Sequence, residues 1–436
     1  MMPKNKYRVN YGKSYLEFVL PRGMQMDVAD AKPVEPLQDI NLAVADAMAH
    51  PLGSRPLREL AQSGQKVCLV FTDITRSSPD SILVPALLHE LEQAGVRDED
   101  VTLLCGIGMH RPSTLEEKRI KLGSQIVKRY TVIDNEPQNP ATLVDLGITP
   151  GGVPVQMHKV AVNADLLIAT GIVEPHQYAG YSGGRKTVAI GAAGEPLVAF
   201  THGPAFVDHP GTRLGKIENN PFHDALVEAS RRAGLDFILN VVLNDKKQVL
   251  RVAAGDPEDA FLDLVAFARS VYEVPIAHAY DIVIGGVGHP KDSNLYQASR
   301  APTYLYFAPT PVVRPNGFLI IPARCEEGAG SGAGEQRFLS AMRDSPDITT
   351  ILADARENGY PPGQQRAFVL AKVLEKARII IVGSDYPDLV SDCKMIPAKT
   401  MAEALSIAEQ DLGRSCNVLL VPHAMLTLPV IQTRHR

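Results

Sequence analysis

Three short apolar runs, each emptying into a loop rich in glycine and ionisable residues, constrain the fold of this chain more than any other feature. Residues 66–71 (KVCLVF), 101–105 (VTLLC) and 165–171 (DLLIATG) have the length of strands, and their near-unbroken apolar character marks strands covered on both faces. Helical signals follow the loops: Pro79 precedes Ile82, Leu83, Ala86, Leu87 and Leu91 at helical spacing, and Thr114 with Glu117 forms a capping box. Repeated strand–loop–helix units predict a parallel sheet, whose carboxyl edge is where open α/β sheets take ligands. The loops leaving that edge carry Asp73, Thr75 and Arg76 after the first run and His110 after the second. After the third comes 174–187 (EPHQYAGYSGGRKT), with His176 and Lys186. One cleft is expected to collect them all.

The remaining chain reads as a strand over 14–20, a helix over 39–49, a helix from Asn220 and Pro221 to Ala233, a hairpin of 239–243 with 248–253, and a helix over 256–272. Around 274–278 a second α/β series begins, with strands at 281–284, 318–321, 378–382 and 417–421 and helices near 294–307, 335–343, 364–376 and 400–411. The expected fold class is therefore two α/β domains with largely parallel sheets, residues 1–273 and 279–436, with the active site in the cleft between them. A chain of 436 residues, 45% hydrophobic, is long enough for both. A net charge of −5 and the lack of a Lys/Arg run give no footprint for nucleic acid. The polar N-terminus leads into no long apolar stretch, so neither a signal peptide nor a membrane span is expected. Five scattered cysteines suit neither a disulfide framework nor a thiolate zinc site. A cytoplasmic enzyme acting on a small molecule is the reading these features leave.

Familiar nucleotide motifs fail at diagnostic positions. Arg185 stands where a Walker A loop needs glycine before Lys186, and Lys291 stands where the dinucleotide pattern begun by Gly286 and Gly288 needs its third glycine. Read alone, Lys186 holds a phosphate or carboxylate, and Asp73 and Arg76 either bind ligand or cap their own helix. Among the histidines, His50, His89, His158, His223, His278, His423 and His435 carry no signal beyond structure, whereas His110 and His176 share a sheet edge. His202 and His209 make a possible metal pair without the helical spacing or carboxylate that a zinc hydrolase shows.

Taken jointly, 73–76 (DITR), 106–110 (GIGMH), 174–176 (EPH), 183–186 (GGRK), His202 sixteen residues beyond Lys186, and Gln297 with Arg300 resemble the nickel-pincer lactate racemase family. The resemblance implies a racemase or epimerase inverting C2 of a 2-hydroxy acid by reversible hydride transfer to a nickel-pincer nucleotide. That cofactor is a nickel-bound pyridinium-3,5-bisthiocarboxylic acid mononucleotide type, made by separate cofactor-synthesis proteins. It further implies Lys186 as covalent tether, His202 as nickel ligand, His110 and His176 as the acid/base pair, and Asp73, Thr75 and Arg76 as cofactor- or substrate-holding residues. Gln297, Arg300 and Tyr360 would reach the substrate from the second domain. This chain has no tryptophan, where such racemases carry one near the site, and has Arg300 where lysine is usual. Both departures fall on the substrate side, so a larger or dicarboxylic 2-hydroxy acid, or a sugar acid, stands beside lactate. A nicotinamide-dependent 2-hydroxyacid oxidoreductase is the alternative, and it lacks its glycine fingerprint.

Overall fold

The first domain is framed by a six-stranded sheet in the order Val249–Gly255, Leu235–Leu243, Leu166–Ile172, Val67–Thr72, Val101–Gly106, Thr131–Asp134. All neighbours run parallel except the first pair, which is an antiparallel hairpin. The structure, a computed structural model, describes residues 6–361 and 363–432; residues 1–5, 362 and 433–436, His435 among them, lie outside it. Val67–Thr72 and Leu166–Ile172 are buried at every position, as their unbroken apolar sequences require of strands covered by helices on both sides. From Val67–Thr72 the chain winds outward through Val101–Gly106 to Thr131–Asp134, then returns to lay Leu166–Ile172 on the opposite side. The winding reverses between Val67–Thr72 and Leu166–Ile172, so their two loops part and open a crevice at the carboxyl edge.

Local signals position the covering helices. Thr114 and Glu117 form the reciprocal capping box of Leu115–Leu122, Asp39 caps Ile40–Ala49, and the Asn220 side chain caps Pro221–Arg232.

The second sheet has the order Ile396–Ala398, Arg378–Val382, Val313–Pro322, Tyr280–Gly285, Asn417–Val421, Gln25–Val28, and is parallel throughout. Its last strand corrects the expected division of the chain. Gln25–Val28, assigned from sequence to the N-terminal domain, pairs with Asn417–Val421, and Val9, Phe18, Leu20 and Met24 share a core with Ile282, Ile320 and Leu420. The N-terminal hairpin of Lys6–Tyr11 and Ser14–Val19 thus belongs to the second domain. Helix Ile348–Asn358 and the hairpin of Leu143–Ile148 with Pro154–His158 were not expected.

The domains meet through a continuous apolar core that includes Val173, Tyr178 and Leu214 from one and Leu295, Phe307 and Phe368 from the other. A parallel pair of Glu273–Ile276 with Leu428–Ile431 straps the linker to the C-terminal tail. Among the described residues, no helix is long and apolar enough to cross a membrane.

Candidate active site

The segment after Leu166–Ile172 lies flush on the sheet edge because glycines remove the side chains that would hold it away. Gly183 takes φ +148°, and a Cβ there would stand 3.0 Å from the Phe261 ring. Gly191 meets Gly106 so closely that an added Cβ would lie 2.9 Å from the Gly106 Cα. Gly184–Lys186 forms one helical turn that widens into a π-turn over Thr187–Gly191. Arg185 points inward, stacking 3.9 Å from the Phe261 ring centroid and pairing with Glu258. Among the described residues Lys186 has no side-chain hydrogen bond or ion pair, and burial together with the Arg76 charge pushes its ammonium down to about 7, against the opposing pull of Glu174 and Asp73.

The loop after Val67–Thr72 is organised by Asp73. Its buried carboxylate accepts from Thr75 Oγ1 at 2.7 Å and from His110 Nδ1 at 2.6 Å. Burial pushes its pKa up, but those bonds and the neighbouring charges of His110 and Arg76 outweigh burial and hold the carboxyl below its usual range. Beneath the loop, Lys121 Nζ reaches Asp80 at 2.8 Å and also donates to the carbonyls of Arg76 and Ser78. Asp80 accepts in addition from the hydroxyls of Thr72, Ser78 and Thr170, so a satisfied polar network ties this loop to both central strands.

Each histidine in the cleft has a different Nδ1 environment. His176 accepts from the backbone N–H groups of Tyr178 at 3.3 Å and Ala179 at 3.2 Å. Burial, then the charges of Lys186, Arg76, His202 and Arg300, hold its pKa well below the ordinary imidazole range. His202 Nδ1 donates to the Val198 carbonyl at 2.9 Å, which leaves Nε2 with its lone pair, and burial and Lys186 push its pKa down to about 4. That is the state in which an imidazole binds a metal. His209 is exposed, and its Nδ1 accepts from Gly211 N, so the structure does not pair it with His202. Among the described residues no three His, Cys, Asp or Glu side chains form a metal cage, so His202 would bring a single protein ligand.

The second domain contributes Gln297 and Arg300 from the helical turns following Tyr280–Gly285. Gln297 Oε1 and Arg300 Nε are buried with no hydrogen-bond partner among the described residues. The Tyr360 hydroxyl donates to the His202 carbonyl at 2.8 Å, bracing that segment across the domain boundary. The same segment is gripped again where Arg356 and Lys372 pair with Asp208 at 2.8 and 2.7 Å.

Two cleft cations escaped sequence reasoning. Burial, then the charges of Arg300, Arg76 and Lys247, push the pKa of Lys291 down against the opposing pull of Glu174. Arg366 is buried, donating to Gln177 Oε1 at 3.4 Å and Thr303 Oγ1 at 3.1 Å, with Nε unpartnered. Neither position lies in a recognisable motif, so only tertiary placement reveals them. Arg76, Lys186, Lys291, Arg300 and Arg366 have no ion-pair partner among the described residues, a concentration of positive charge suited to anions. Beside His110 opens a cleft of about 690 Å³ lined by Asn135, Glu136 and Glu195, and by Arg337 and Pro361 of the second domain.

Comparison with known proteins agrees with this geometry. Residues 11–215 match the lactate racemase N-terminal domain model, and residues 276–428 match the lactate racemase C-terminal domain model. The chain is 31% identical to lactate racemase of Thermoanaerobacterium thermosaccharolyticum over 95% of its own length and 96% of that protein's. It is 32% identical to lactate racemase of Lactiplantibacillus plantarum, with 88% and 89% covered. The lactate racemase apoprotein structure from T. thermosaccharolyticum superposes with a TM-score of 0.85, covering 98% of this chain and all of that one. A crystal structure of a Thermotoga maritima protein, 18% identical with a TM-score of 0.64, shares the fold alone.

Proposed function

The chain belongs to the lactate racemase family and is an isomerase, and from that premise we propose that it inverts C2 of a 2-hydroxy acid with a nickel-pincer nucleotide as cofactor. The observation that carries this reading is the pairing of a Lys186 amine at about 7 with a His202 imidazole whose Nε2 lone pair is free, both in one cationic crevice. An amine half unprotonated at neutral pH is a nucleophile able to form a covalent tether, and a neutral imidazole is a nickel ligand. The cations of the cleft suit the phosphate of a mononucleotide and the carboxylate of a hydroxy acid. When bound, the cofactor supplies an electron-poor ring that accepts hydride from C2.

The chain's own residues do the rest. Arg300 and Gln297 from the second domain, with Arg76 from the first, hold the substrate carboxylate. His110, backed by Asp73, and His176 flank the hydroxyl at its two orientations, because a planar keto acid that turns about C1–C2 carries its oxygen from one side to the other. Thr75 fixes Asp73, and Tyr360 acts through the His202 carbonyl rather than on the substrate. The apolar core shared by the two domains would limit access of water to the keto acid from that side. Lactate, a larger or dicarboxylic 2-hydroxy acid, and a sugar acid are the substrates to test, with cofactor-synthesis proteins as partners. Five free, buried cysteines suit a reducing compartment, and we place the enzyme in the cytoplasm.

The test is holoprotein made alongside cofactor-synthesis proteins, incubated with single stereoisomers and followed by chiral chromatography. Formation of the opposite stereoisomer is expected, with nickel bound, an adduct on the Lys186 peptide, and reduced nickel in His202→Ala. Net accumulation of keto acid with added nicotinamide dinucleotide, and no nickel, would overturn the proposal.

A further inference from the structure

His110 and His176 are proposed for the same kind of work, but their hydrogen bonds differ in kind. Asp73 is ionised and can only accept, so the 2.6 Å contact requires His110 to carry its proton on Nδ1. Nε2 of the neutral ring is then a lone pair, and the ring is locked, since the same carboxylate is anchored by Thr75. At His176 the arrangement is reversed. Two backbone N–H groups, of Tyr178 and Ala179, point at Nδ1, so Nδ1 is the acceptor and the neutral ring carries its proton on Nε2. These donors are main-chain groups of the turn between Pro175–His176 and Gly180–Tyr181, so no side-chain rotation relieves them.

We infer that the two histidines have opposite roles built into the fold: His110 presents a proton acceptor to the cleft, with Asp73 as its positioning residue, and His176 presents a hydrogen-bond donor. This rests on the proposed racemase reading for its kinetic consequence, and on geometry alone for the tautomers. It also changes the role of Asp73, which acts through His110 rather than on the cofactor. A stereoisomer whose hydroxyl faces His110 meets a lone pair at once: its O–H bond breaks and the proton goes to Nε2, while the bound cofactor would supply the acceptor for the C2 hydride. One whose hydroxyl faces His176 meets an N–H and must wait until that proton has moved from Nε2 to Nδ1, at the loss of two backbone hydrogen bonds. At about fivefold per such bond, the accepting form of His176 is disfavoured roughly 10- to 30-fold.

The full-length apoprotein labelled with ¹⁵N in its histidine rings tests the tautomers directly, with His110→Gln and His176→Gln assigning the signals. Expected are a protonated Nδ1 for His110 and a protonated Nε2 for His176. Asp73→Asn should shift the His110 pattern and leave His176 unchanged, and Asp73→Glu should restore it, which a merely structural role for Asp73 would not do. The same tautomer on both rings, or a His110 pattern indifferent to Asp73→Asn, would overturn the assignment. In holoprotein, single turnovers from the two pure stereoisomers should differ about tenfold or more in the first proton-coupled step. Equal rates would overturn the kinetic consequence. Because the spectroscopic measurement needs neither cofactor nor substrate, a failure to racemise with the expected tautomers would count against the proposed reaction and in favour of this assignment.

Discussion

Lys186 should behave in the apoprotein as no ordinary lysine does. Its ammonium is pushed from 10.5 to about 7 by burial first and by Arg76 second, with Glu174 and Asp73 opposing. At neutral pH about half of the amine is then unprotonated, against roughly 3 parts in 10,000 for an unperturbed side chain, a gain of roughly 1,500-fold in nucleophile. Trace acetylation across the lysine titration range, read by peptide mass mapping with exposed Lys246 as internal reference, measures the midpoint. Arg76→Gln removes a cation and should raise the midpoint, while Glu174→Gln removes an anion and should lower it. The low midpoint serves the tether only if the lysine is reactive before cofactor arrives, so the apoprotein is the right sample. A Lys186 profile coincident with that of Lys246, or one indifferent to both substitutions, would refute the electrostatic account.

The buried pair under the Asp73–Arg76 loop makes a second prediction. Lys121 and Asp80 are both almost fully buried, so Lys121→Met strands a carboxylate and should cost about 3–5 kcal/mol in urea unfolding, with Asp80→Asn added to it recovering part of the loss. A loss indistinguishable from that of a surface substitution would show the pair to be idle. Third, burial, and then the Arg185 charge, push the imidazole of His223, which stacks on Phe261, down from 6.5 to about 4. The unfolded chain therefore binds a proton between those values that the folded chain refuses. Stability should be fully present above 6.5 and fall by up to about 3 kcal/mol as pH drops toward 4, with His223→Gln flattening that slope in pH-dependent unfolding.

Much of the frame was legible because buried parallel strands announce themselves as apolar runs. The strands bearing Asp73, His110 and His176 were found that way, and the same-edge placement of their loops follows from parallel topology. What local sequence does not carry is pairing across distance. Gln25–Val28 is short, partly polar and at a sheet edge, so nothing in it distinguishes one domain from the other. Lys291 and Arg366 are isolated cations whose company is set wholly by tertiary packing. The Asp73–His110 bond joins residues 37 apart, and the hydrogen-bonding role it fixes is invisible to any motif. Tyr360 is expected at the substrate from where it falls in the chain, and the bond of its hydroxyl to the His202 backbone carries no signal in the sequence.

The pairing of Gln25–Val28 with Asn417–Val421 makes the second domain discontinuous, with the first inserted into it. During synthesis the inserted domain can fold as its own strands emerge, whereas the N-terminal segment must wait, unsheltered, until Asn417–Val421 has left the ribosome. Its Val9, Phe18, Leu20 and Met24, buried only once Ile282, Ile320 and Leu420 pack on them, are then a transient hazard that a chaperone or rapid completion must cover. Once assembled, the same arrangement joins the two bodies by two chain crossings instead of one. A pair of crossings acts like two hinges on a door: it permits swinging about one axis and forbids free tumbling, so any opening of the cleft retraces its path on closing.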